Sequence, residues 1–149
     1  MGERKQEKAE AVHRRHLEEG EQIALFEWLH WMSGTYPELD MLFHIPNGGK
    51  RNKLEAYRLK REGVRAGVPD LFLPVARGGY HGLFIELKAG KGVPTNLQKE
   101  WLRRLEVQGY RAQIAVGWEA AAAALVEYLK GNMHAAGIYT GKNETEGEA

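Results

Sequence analysis

The sequence predicts an α/β fold, and two short apolar segments near the middle of the chain are the first reason. Residues 67–73 and 84–88 are rich in Leu, Phe and Ile and are bounded by glycine or proline, as β-strands often are. Strands this apolar lie in the middle of a sheet, with both faces buried. Segments with the periodicity of amphipathic helices come before and after them, so we expect one sheet combined with helices.

The composition is that of one ordinary globular domain. The chain has 149 residues, of which 43% are hydrophobic and 28% charged. No apolar run is long enough to cross a bilayer and the N-terminus is charged, so we expect no membrane partner and a cytoplasmic location. The sequence contains no cysteine, which excludes disulfide scaffolds and thiolate metal sites and fits a reducing compartment.

The first helix is predicted over residues 17–32. Its apolar stripe consists of Leu17, Leu25, Trp28 and Met32. Glu21 lies in the gap of this stripe between Leu17 and Leu25, while Glu18 lies with Gln22 on the adjoining edge. A carboxylate beside a buried stripe is a candidate acidic ligand, although a solvated glutamate on the helix flank explains the same periodicity. Residues 1–16 are polar with mixed charge, so we expect an N-terminal arm, frayed or helical, outside the domain.

A strand over residues 41–45 is followed by a glycine turn and a basic helix, predicted over residues 50–62. The charged residues of this helix are Lys50, Arg51, Lys53, Arg58, Lys60 and Arg61 against Glu55 and Glu62. The glycine turn exposes backbone N–H groups at a helix start, which is an anion site that Lys50 and Arg51 reinforce. Local positive charge of this kind suits a polyanion, although a charge run can also be a solvated face. The residues expected to pack this helix are Leu54, Tyr57 and Leu59.

The second half of the chain continues the α/β pattern. Residues 77–82 are a glycine-rich hairpin connection between the two apolar strands. Thr95 and Gln98 form a capping-box pattern at the start of a helix whose predicted buried stripe is Leu97, Trp101 and Leu105. A strand over residues 111–116 and a helix over residues 119–130 follow. The domain is therefore predicted over residues 17–131, and residues 132–149 lack periodicity and are expected to be a flexible tail.

Charged residues in the two central strands indicate a metal site. Asp70 and Glu86 lie on strands one hairpin apart and offer the hard oxygen ligands that Mg²⁺ or Mn²⁺ prefers. The backbone carbonyl of Leu87 can serve as a further oxygen ligand. Because side chains alternate along a strand, Lys88 points the same way as Glu86 and reaches the same volume. Burying two carboxylates and an ammonium is costly unless they are paired or bound to a metal.

The substrate that fits a cation, a lysine and a basic helix is a phosphodiester. The sequence has no cysteine and no Gly-x-Ser-x-Gly motif, so nucleophilic catalysis by such residues is not expected. His44 is weaker evidence for chemistry, since a single strand histidine is more often a hydrogen-bonded core residue. Gln98 is explained by its capping box alone, so its involvement in the site stays open at this point.

Several motifs in this order resemble one nuclease family. They are Gly67-Val68-Pro69-Asp70, Ile85-Glu86-Leu87-Lys88, Ile45-Pro46-Asn47-Gly48-Gly49-Lys50-Arg51, Gly63-Val64-Arg65-Ala66 and Gln98 before Trp101. Together they resemble the PD-(D/E)xK nucleases and, within them, the virus-type replication–repair nuclease (VRR-NUC) domain in its small stand-alone form. The resemblance covers about residues 17–130.

The resemblance implies a restriction-endonuclease-like core, which is a mixed central sheet flanked by helices. It also implies catalytic roles for Asp70, Glu86, Lys88 and Gln98, with Asp70 and Glu86 as ligands of Mg²⁺ or Mn²⁺. The family uses a further glutamate on the first helix, and both Glu18 and Glu21 match it. Asn47, Lys50, Arg51 and Lys53 are expected to bind DNA, the last three through backbone phosphates.

The activity that the resemblance implies is metal-dependent, structure-selective DNA cleavage. Stand-alone members resemble resolvases of four-way (Holliday) junctions and act as homodimers, which would match the twofold symmetry of a junction. We therefore expect a phage or prophage replication and repair enzyme in the cytoplasm of a bacterial host. The alternatives are a flap- or end-directed nuclease on the same core and a non-catalytic DNA-binding module.

Overall fold

The computed structural model describes residues 2–46 and 52–131, which form four helices, a short 3₁₀ helix (Pro37–Met41) and four strands. The helices are α1 (Gly2–Met32), α2 (Lys53–Arg61), α3 (Asn96–Val107) and α4 (Trp118–Leu129). The strands are β1 (Phe43–His44), β2 (Leu71–Leu73), β3 (Leu83–Lys88) and β4 (Arg111–Val116). None of the helices in this part of the chain combines the length and apolarity needed to cross a bilayer.

The four strands of the described ranges form one mixed sheet in the order β1-β2-β3-β4. Strand β2 is antiparallel to both neighbours, whereas β3 and β4 are parallel. Parallel strands need a long crossover connection, and α3 provides it here. This mixed sheet with flanking helices confirms the predicted fold class.

Strand β3 lies at the centre of the molecule, and all six of its residues are buried. Leu83, Ile85 and Leu87 face the larger core, to which α1 contributes Leu25 and Leu29, and to which α4 also contributes. On the opposite face, Phe84 packs with Leu102 of α3 in a smaller cluster. The predicted alternation along this strand is therefore confirmed. It places the side chains of Glu86 and Lys88 on the face of the sheet that α3 covers.

Helix α1 is longer than the helix predicted over residues 17–32. It runs without interruption from Gly2 to Met32, so most of the segment expected as an arm is its first half. The predicted stripe is confirmed at Leu25, which is buried, and at Trp28 and Met32, which pack against the core, whereas Leu17 is 44% exposed. Leu29, which the predicted stripe does not include, is buried as well. Residues 132–149, expected as a flexible tail, lie outside the described residues.

Helix α2 begins at Lys53, three residues later than predicted. The side chain of Asn52 caps it by accepting a hydrogen bond from the Glu55 amide over 2.8 Å. Of the three residues predicted to be available for packing, Leu59 is partly buried, but Leu54 and Tyr57 are 77% and 61% exposed. No element of the described residues covers them.

The predicted stripe of α3 is confirmed only in part, because Leu105 packs against the smaller cluster but the buried residue of the helix is Leu102. Leu102 is 1% exposed, whereas the predicted core residue Leu97 is 49% exposed. Leu97 and Trp101 instead lie over the backbone of Gly67, where a β-carbon would come within 2.6 Å of Leu97 Cγ. The indole of Trp101 donates a hydrogen bond to the Ala66 carbonyl over 3.1 Å. These contacts hold the loop that leads into Asp70 against α3.

Candidate active site

Asp70 and Glu86 come together because β2 and β3 are paired. Asp70 directly precedes β2, whose first residue, Leu71, lies opposite Ile85. Its carboxylate Oδ2 accepts a hydrogen bond from the Leu87 amide over 2.9 Å. Asp70 therefore binds the backbone of β3 at the residue after Glu86, and its carboxylate is fixed beside that side chain.

Glu86 is the most unusual residue of this site, because its carboxylate is buried and only one of its two oxygens has a hydrogen-bond partner. The side chain is 2% exposed. Oε1 accepts a hydrogen bond from Gln98 Nε2 over 2.8 Å and lies 3.3 Å from Lys88 Nζ. Oε2 is buried and has no hydrogen-bond partner in the described part of the chain. An unpaired buried carboxylate oxygen is energetically unfavourable, which indicates a binding function for this atom.

The burial of these acids changes their protonation. Burial, and then repulsion from Asp70, raise the pKa of Glu86 to about 8, although the nearby Lys88 acts in the opposite direction. Burial also raises the pKa of Asp70, against the hydrogen bond from the Leu87 amide. Close carboxylates that resist ionisation together are stabilised in their charged form by a bound cation.

Lys88 lies between two carboxylates. Its side chain is 8% exposed, and its ammonium is 3.3 Å from Glu86 Oε1 and 4.0 Å from Glu18 Oε1. The backbone of Lys88 is fixed as well, because its carbonyl accepts a hydrogen bond from the Gly117 amide over 2.8 Å. An ammonium held at the end of a buried strand is positioned to donate hydrogen bonds to a bound anion or water.

Gln98 has two roles at once. Its Oε1 accepts a hydrogen bond from the Thr95 amide over 2.9 Å, and Thr95 Oγ1 accepts one from the Gln98 amide over 3.2 Å, so the predicted capping box is present. The opposite end of the same side-chain amide donates to Glu86. The start of α3 therefore fixes the orientation of the Glu86 carboxylate. The capping box explains only half of the contacts of this residue.

The structure separates the two helix-one candidates. Glu18 is half-buried beside Lys88, and burial raises its pKa. Glu21 lies one turn further along α1, and its Oε2 accepts a hydrogen bond from the Trp118 amide over 2.7 Å. It therefore caps the N-terminus of α4, whose own N-cap residue, Gly117, supplies no side chain. The geometry brings Glu18, rather than Glu21, to the site.

His44, which the sequence favours as a hydrogen-bonded core residue, also contacts this site. His44 Nδ1 lies 3.0 Å from the backbone carbonyl of Asp70, which also accepts a hydrogen bond from the Ile45 amide over 2.7 Å. Because a carbonyl only accepts hydrogen bonds, Nδ1 carries the proton in this contact. The side chain of His44 is exposed rather than part of the core. Its position follows from the pairing of β1 with β2, which a single strand segment does not reveal.

Of the predicted DNA-binding residues, one lies within the described ranges. Lys53 is the exposed first residue of α2. Asn47, Lys50 and Arg51 lie outside the described residues. Two further cations, Arg14 and Arg15 on the first half of α1, lie close enough to Glu18 to lower its pKa, although burial outweighs them.

The residues present fit a divalent cation that keeps part of its water shell. No group of three His, Cys, Asp or Glu side chains within residues 2–46 and 52–131 is arranged to hold a metal. Mg²⁺, however, is usually bound by one or two carboxylates, with waters and substrate phosphates as its other ligands. Asp70 and Glu86 provide such a pair, and Oε2 of Glu86 is the unsatisfied atom. The amide of Leu87 faces Asp70. In a β-strand the carbonyl of a residue points to the same side as its amide, so the Leu87 carbonyl faces the side of β3 on which Asp70 lies.

A mixed sheet that carries Asp on one central strand and Glu-x-Lys on the next, with Gln from the following helix, defines the PD-(D/E)xK class of nucleases. Comparisons of this chain with known proteins agree with this class. The sequence model of the VRR-NUC domain matches residues 4–118, so the match begins within the segment expected as an arm. The chain belongs to the VRR-NUC family, which is a nuclease family whose members are generally dependent on divalent metals.

One solved structure supports the same assignment. A protein described as "VRR_NUC domain protein" is 34% identical in sequence, and the alignment covers 76% of this chain and 88% of that chain with a TM-score of 0.64. No curated protein matches this sequence.

Proposed function

We propose that this protein is a Mg²⁺- or Mn²⁺-dependent endonuclease that hydrolyses phosphodiesters in branched DNA, with the four-way junction as its main substrate. The observation that carries the catalytic part is the buried Glu86 carboxylate, with Oε2 unsatisfied beside Asp70 and Lys88. A residue with a purely structural role gains nothing from a buried oxygen that lacks a hydrogen-bond partner. An active site does, because substrate and cofactor complete its contacts.

Asp70, Glu86 and the Leu87 carbonyl are the groups that would hold the cation. When bound, Mg²⁺ or Mn²⁺ supplies an activated water and neutralises charge on the phosphate. Gln98 keeps Oε1 of Glu86 in place and leaves Oε2 free for binding. Glu18 lies within 4.0 Å of the Lys88 ammonium and helps to hold it over the site.

Lys88 is the proposed catalytic residue that contacts the reacting groups. Its Nζ donates hydrogen bonds to the attacking water and to the phosphate oxygens. The oxygen of a water molecule would bond to the phosphorus as the bond to the leaving oxygen breaks, the water losing a proton to solvent and the leaving oxygen taking one up. Negative charge grows on the non-bridging oxygens of the phosphate during this step. An ammonium already held in a buried site stabilises this charge with little reorganisation.

A homodimer is part of this proposal, and an uncovered face of α1 supports it. Ile23 and Trp31 lie eight residues apart on one side of α1, and they are 62% and 81% exposed. With Phe26 they line a surface groove of about 710 Å³. A second copy packed on this face would bury these side chains and place two active sites on one junction. The expected setting is the cytoplasm of a bacterial host, as part of phage or prophage replication and repair.

The proposal is tested with an end-labelled synthetic four-way junction and a linear duplex of the same sequence. Each is incubated with the protein in Mg²⁺, Mn²⁺ or EDTA, beside Lys88→Ala and the matched control Lys91→Ala, which removes an exposed lysine three residues away. We expect symmetric, metal-dependent nicks near the branch point that only Lys88→Ala abolishes. Cleavage of flaps, ends or duplex alone would keep the nuclease and exclude the junction. DNA binding without any cleavage would instead support a non-catalytic module.

A further inference from the structure

Helix α2 differs from the other helices of the described residues, because none of its side chains is buried. Leu54 and Tyr57 are 77% and 61% exposed. They lie three residues apart, so they are neighbours on one side of the helix. Two adjacent apolar side chains in water at a helix surface indicate a surface that something else covers.

The surroundings of Tyr57 are strongly basic. The positions three and four residues away on either side are the ones that contact a helical side chain, and here they are Lys53, Leu54, Lys60 and Arg61. The Arg61 guanidinium lies over the tyrosine ring, 5.7 Å from its centroid. We call Tyr57 and these four neighbours the Tyr57 face.

The acidic residues of α2 leave this face positive. Glu62 forms an ion pair with Arg58 over 3.1 Å, and Arg58 is not part of the Tyr57 face. Glu55 lies two residues before Tyr57, which is not one of the positions that contact the ring, and its backbone amide donates to the Asn52 cap. An aromatic ring among three cations is the combination that binds nucleic acid through phosphates and stacked bases.

Both connections of α2 meet the sheet at Asp70. Before the helix, the Ile45 amide donates a hydrogen bond to the Asp70 carbonyl over 2.7 Å. After it, the chain returns past Ala66, whose carbonyl is held by Trp101 over 3.1 Å, and enters Asp70. The chain segments before and after α2 therefore both include a residue fixed close to Asp70 in space or in sequence.

We propose that the Tyr57 face binds unstacked bases of DNA at a branch point. The three cations contact phosphates on either side, one base stacks on the Tyr57 ring, and Leu54 packs against the exposed edge of the adjacent base pair. Apolar side chains that enter a base step in this way are known in proteins that bend DNA. This inference rests on the proposed nuclease function and specifies how that site selects its substrate.

Charge and shape favour this partner over the other candidates. A contact between two copies related by a twofold axis would bring the same cations together, which is unfavourable. A continuous duplex offers phosphates to Lys53, Lys60 and Arg61 but presents no base face to Tyr57. Unstacked bases at a branch satisfy both the cations and the ring.

The experiment measures binding in EDTA, so cleavage does not interfere. The probes are a four-way junction with 2-aminopurine at the branch point and a continuous duplex with 2-aminopurine at its centre. Tyr57→Ala is compared with Tyr57→Phe, which keeps the ring, and with Val107→Ala, which shortens another exposed apolar side chain, on α3. We expect Tyr57→Ala to weaken junction binding about tenfold and to abolish the change in 2-aminopurine fluorescence. We expect Tyr57→Phe and Val107→Ala to behave like the wild type, and duplex binding to be the same for all four proteins.

Two outcomes would overturn the inference. One is an equal loss of affinity for junction and duplex in Tyr57→Ala, because the face would then bind phosphates only. The other is a change from dimer to monomer in sedimentation of Tyr57→Ala without DNA, because the face would then bind a second copy. Cleavage by the wild type in Mn²⁺ is measured separately. Absent cleavage with intact, Tyr57-dependent junction binding would refute the nuclease and leave this inference standing.

Discussion

Gln98 Nε2 donates a hydrogen bond to Glu86 Oε1 over 2.8 Å, while Oε1 of the same glutamine caps its own helix. The orientation of the amide is thus fixed by the cap, and the amide in turn fixes the carboxylate. Glu86 is a proposed metal ligand, and contacts to metal ligands commonly change metal affinity and activity by about 10- to 100-fold. This relationship links the secondary structure of α3 directly to the active site.

Replacing Gln98 by Glu separates its two roles. Glutamate at this position of a capping box keeps the helix start but cannot donate to Glu86, and it adds a like charge beside it. We expect Gln98→Glu to fold normally and to lose about 10- to 100-fold in cleavage rate. The matched control is Thr95→Ala, which removes the Oγ1 acceptor of the cap but keeps the Thr95 amide that orients Gln98. It should lower the free energy of unfolding by about 1 kcal/mol while cleavage stays near wild type. Thermal unfolding and junction cleavage measured on both variants test this, and equal cleavage by Gln98→Glu would contradict the contact.

Substitutions of Glu18 and Glu21 are expected to have different effects. Glu18→Gln removes a carboxylate 4.0 Å from the Lys88 ammonium, so cleavage should fall with little change in stability. Glu21→Ala removes the hydrogen-bond acceptor of the Trp118 amide, so the free energy of unfolding should fall by about 1 kcal/mol. Urea unfolding and the cleavage rate per folded molecule distinguish the two. The reverse pattern would mean that Glu21 is the residue of the site.

Stability of the metal-free protein should decrease as the pH rises because of Glu86. Its pKa is raised from 4.5 in the unfolded chain to about 8 in the folded protein, so the folded state holds the proton more tightly. The favourable contribution of this proton is complete below pH 4.5 and is lost between pH 4.5 and about 8. In EDTA, Glu86→Gln should therefore become increasingly more stable than the wild type across this interval. A stability difference that does not change with pH would show that Glu86 ionises normally.

Metal binding itself is testable without cleavage. We expect Mn²⁺ to bind the folded site and not the unfolded chain, and so to raise the melting temperature of the wild type. Asp70→Asn should lose this shift, whereas Lys88→Ala should keep it, because Lys88 is not a proposed ligand. A shift that survives in Asp70→Asn would place the metal elsewhere.

Gly67 is expected to be essential for the loop that carries Asp70. Its φ is +86°, and a β-carbon there would lie 2.6 Å from Leu97 Cγ and 2.9 Å from Trp101 Cδ1. Gly63 offers the control, since its φ is +98° but its surroundings are open. Both alanine variants should suffer the strain of a positive φ, about 1 kcal/mol. Gly67→Ala should lose more stability in urea unfolding and also lose cleavage, because its neighbours must move, and equal losses would contradict the close packing.

The local pattern of the chain was sufficient to predict the central strands and their chemistry. Alternation along residues 84–88 placed Glu86 and Lys88 on one side, and the structure confirms it with Phe84 on the same face. The capping box at Thr95 was also readable, since it depends on residues three apart. Such features follow from contacts between near neighbours in sequence, so no knowledge of the whole fold is needed.

The position of Glu18, the second contact of Gln98 and the exposure of Tyr57 were decided by the tertiary structure alone. Two glutamates three residues apart on α1 share a helix edge, and only the packing of α1 against β3 and α4 determines which one approaches Lys88. Tyr57 has the spacing of a core residue, yet no side chain of α2 is buried and Tyr57 is 61% exposed. Helical periodicity identifies an apolar face, but it carries no information about what covers that face. That depends on residues distant in sequence, or on a partner outside the chain.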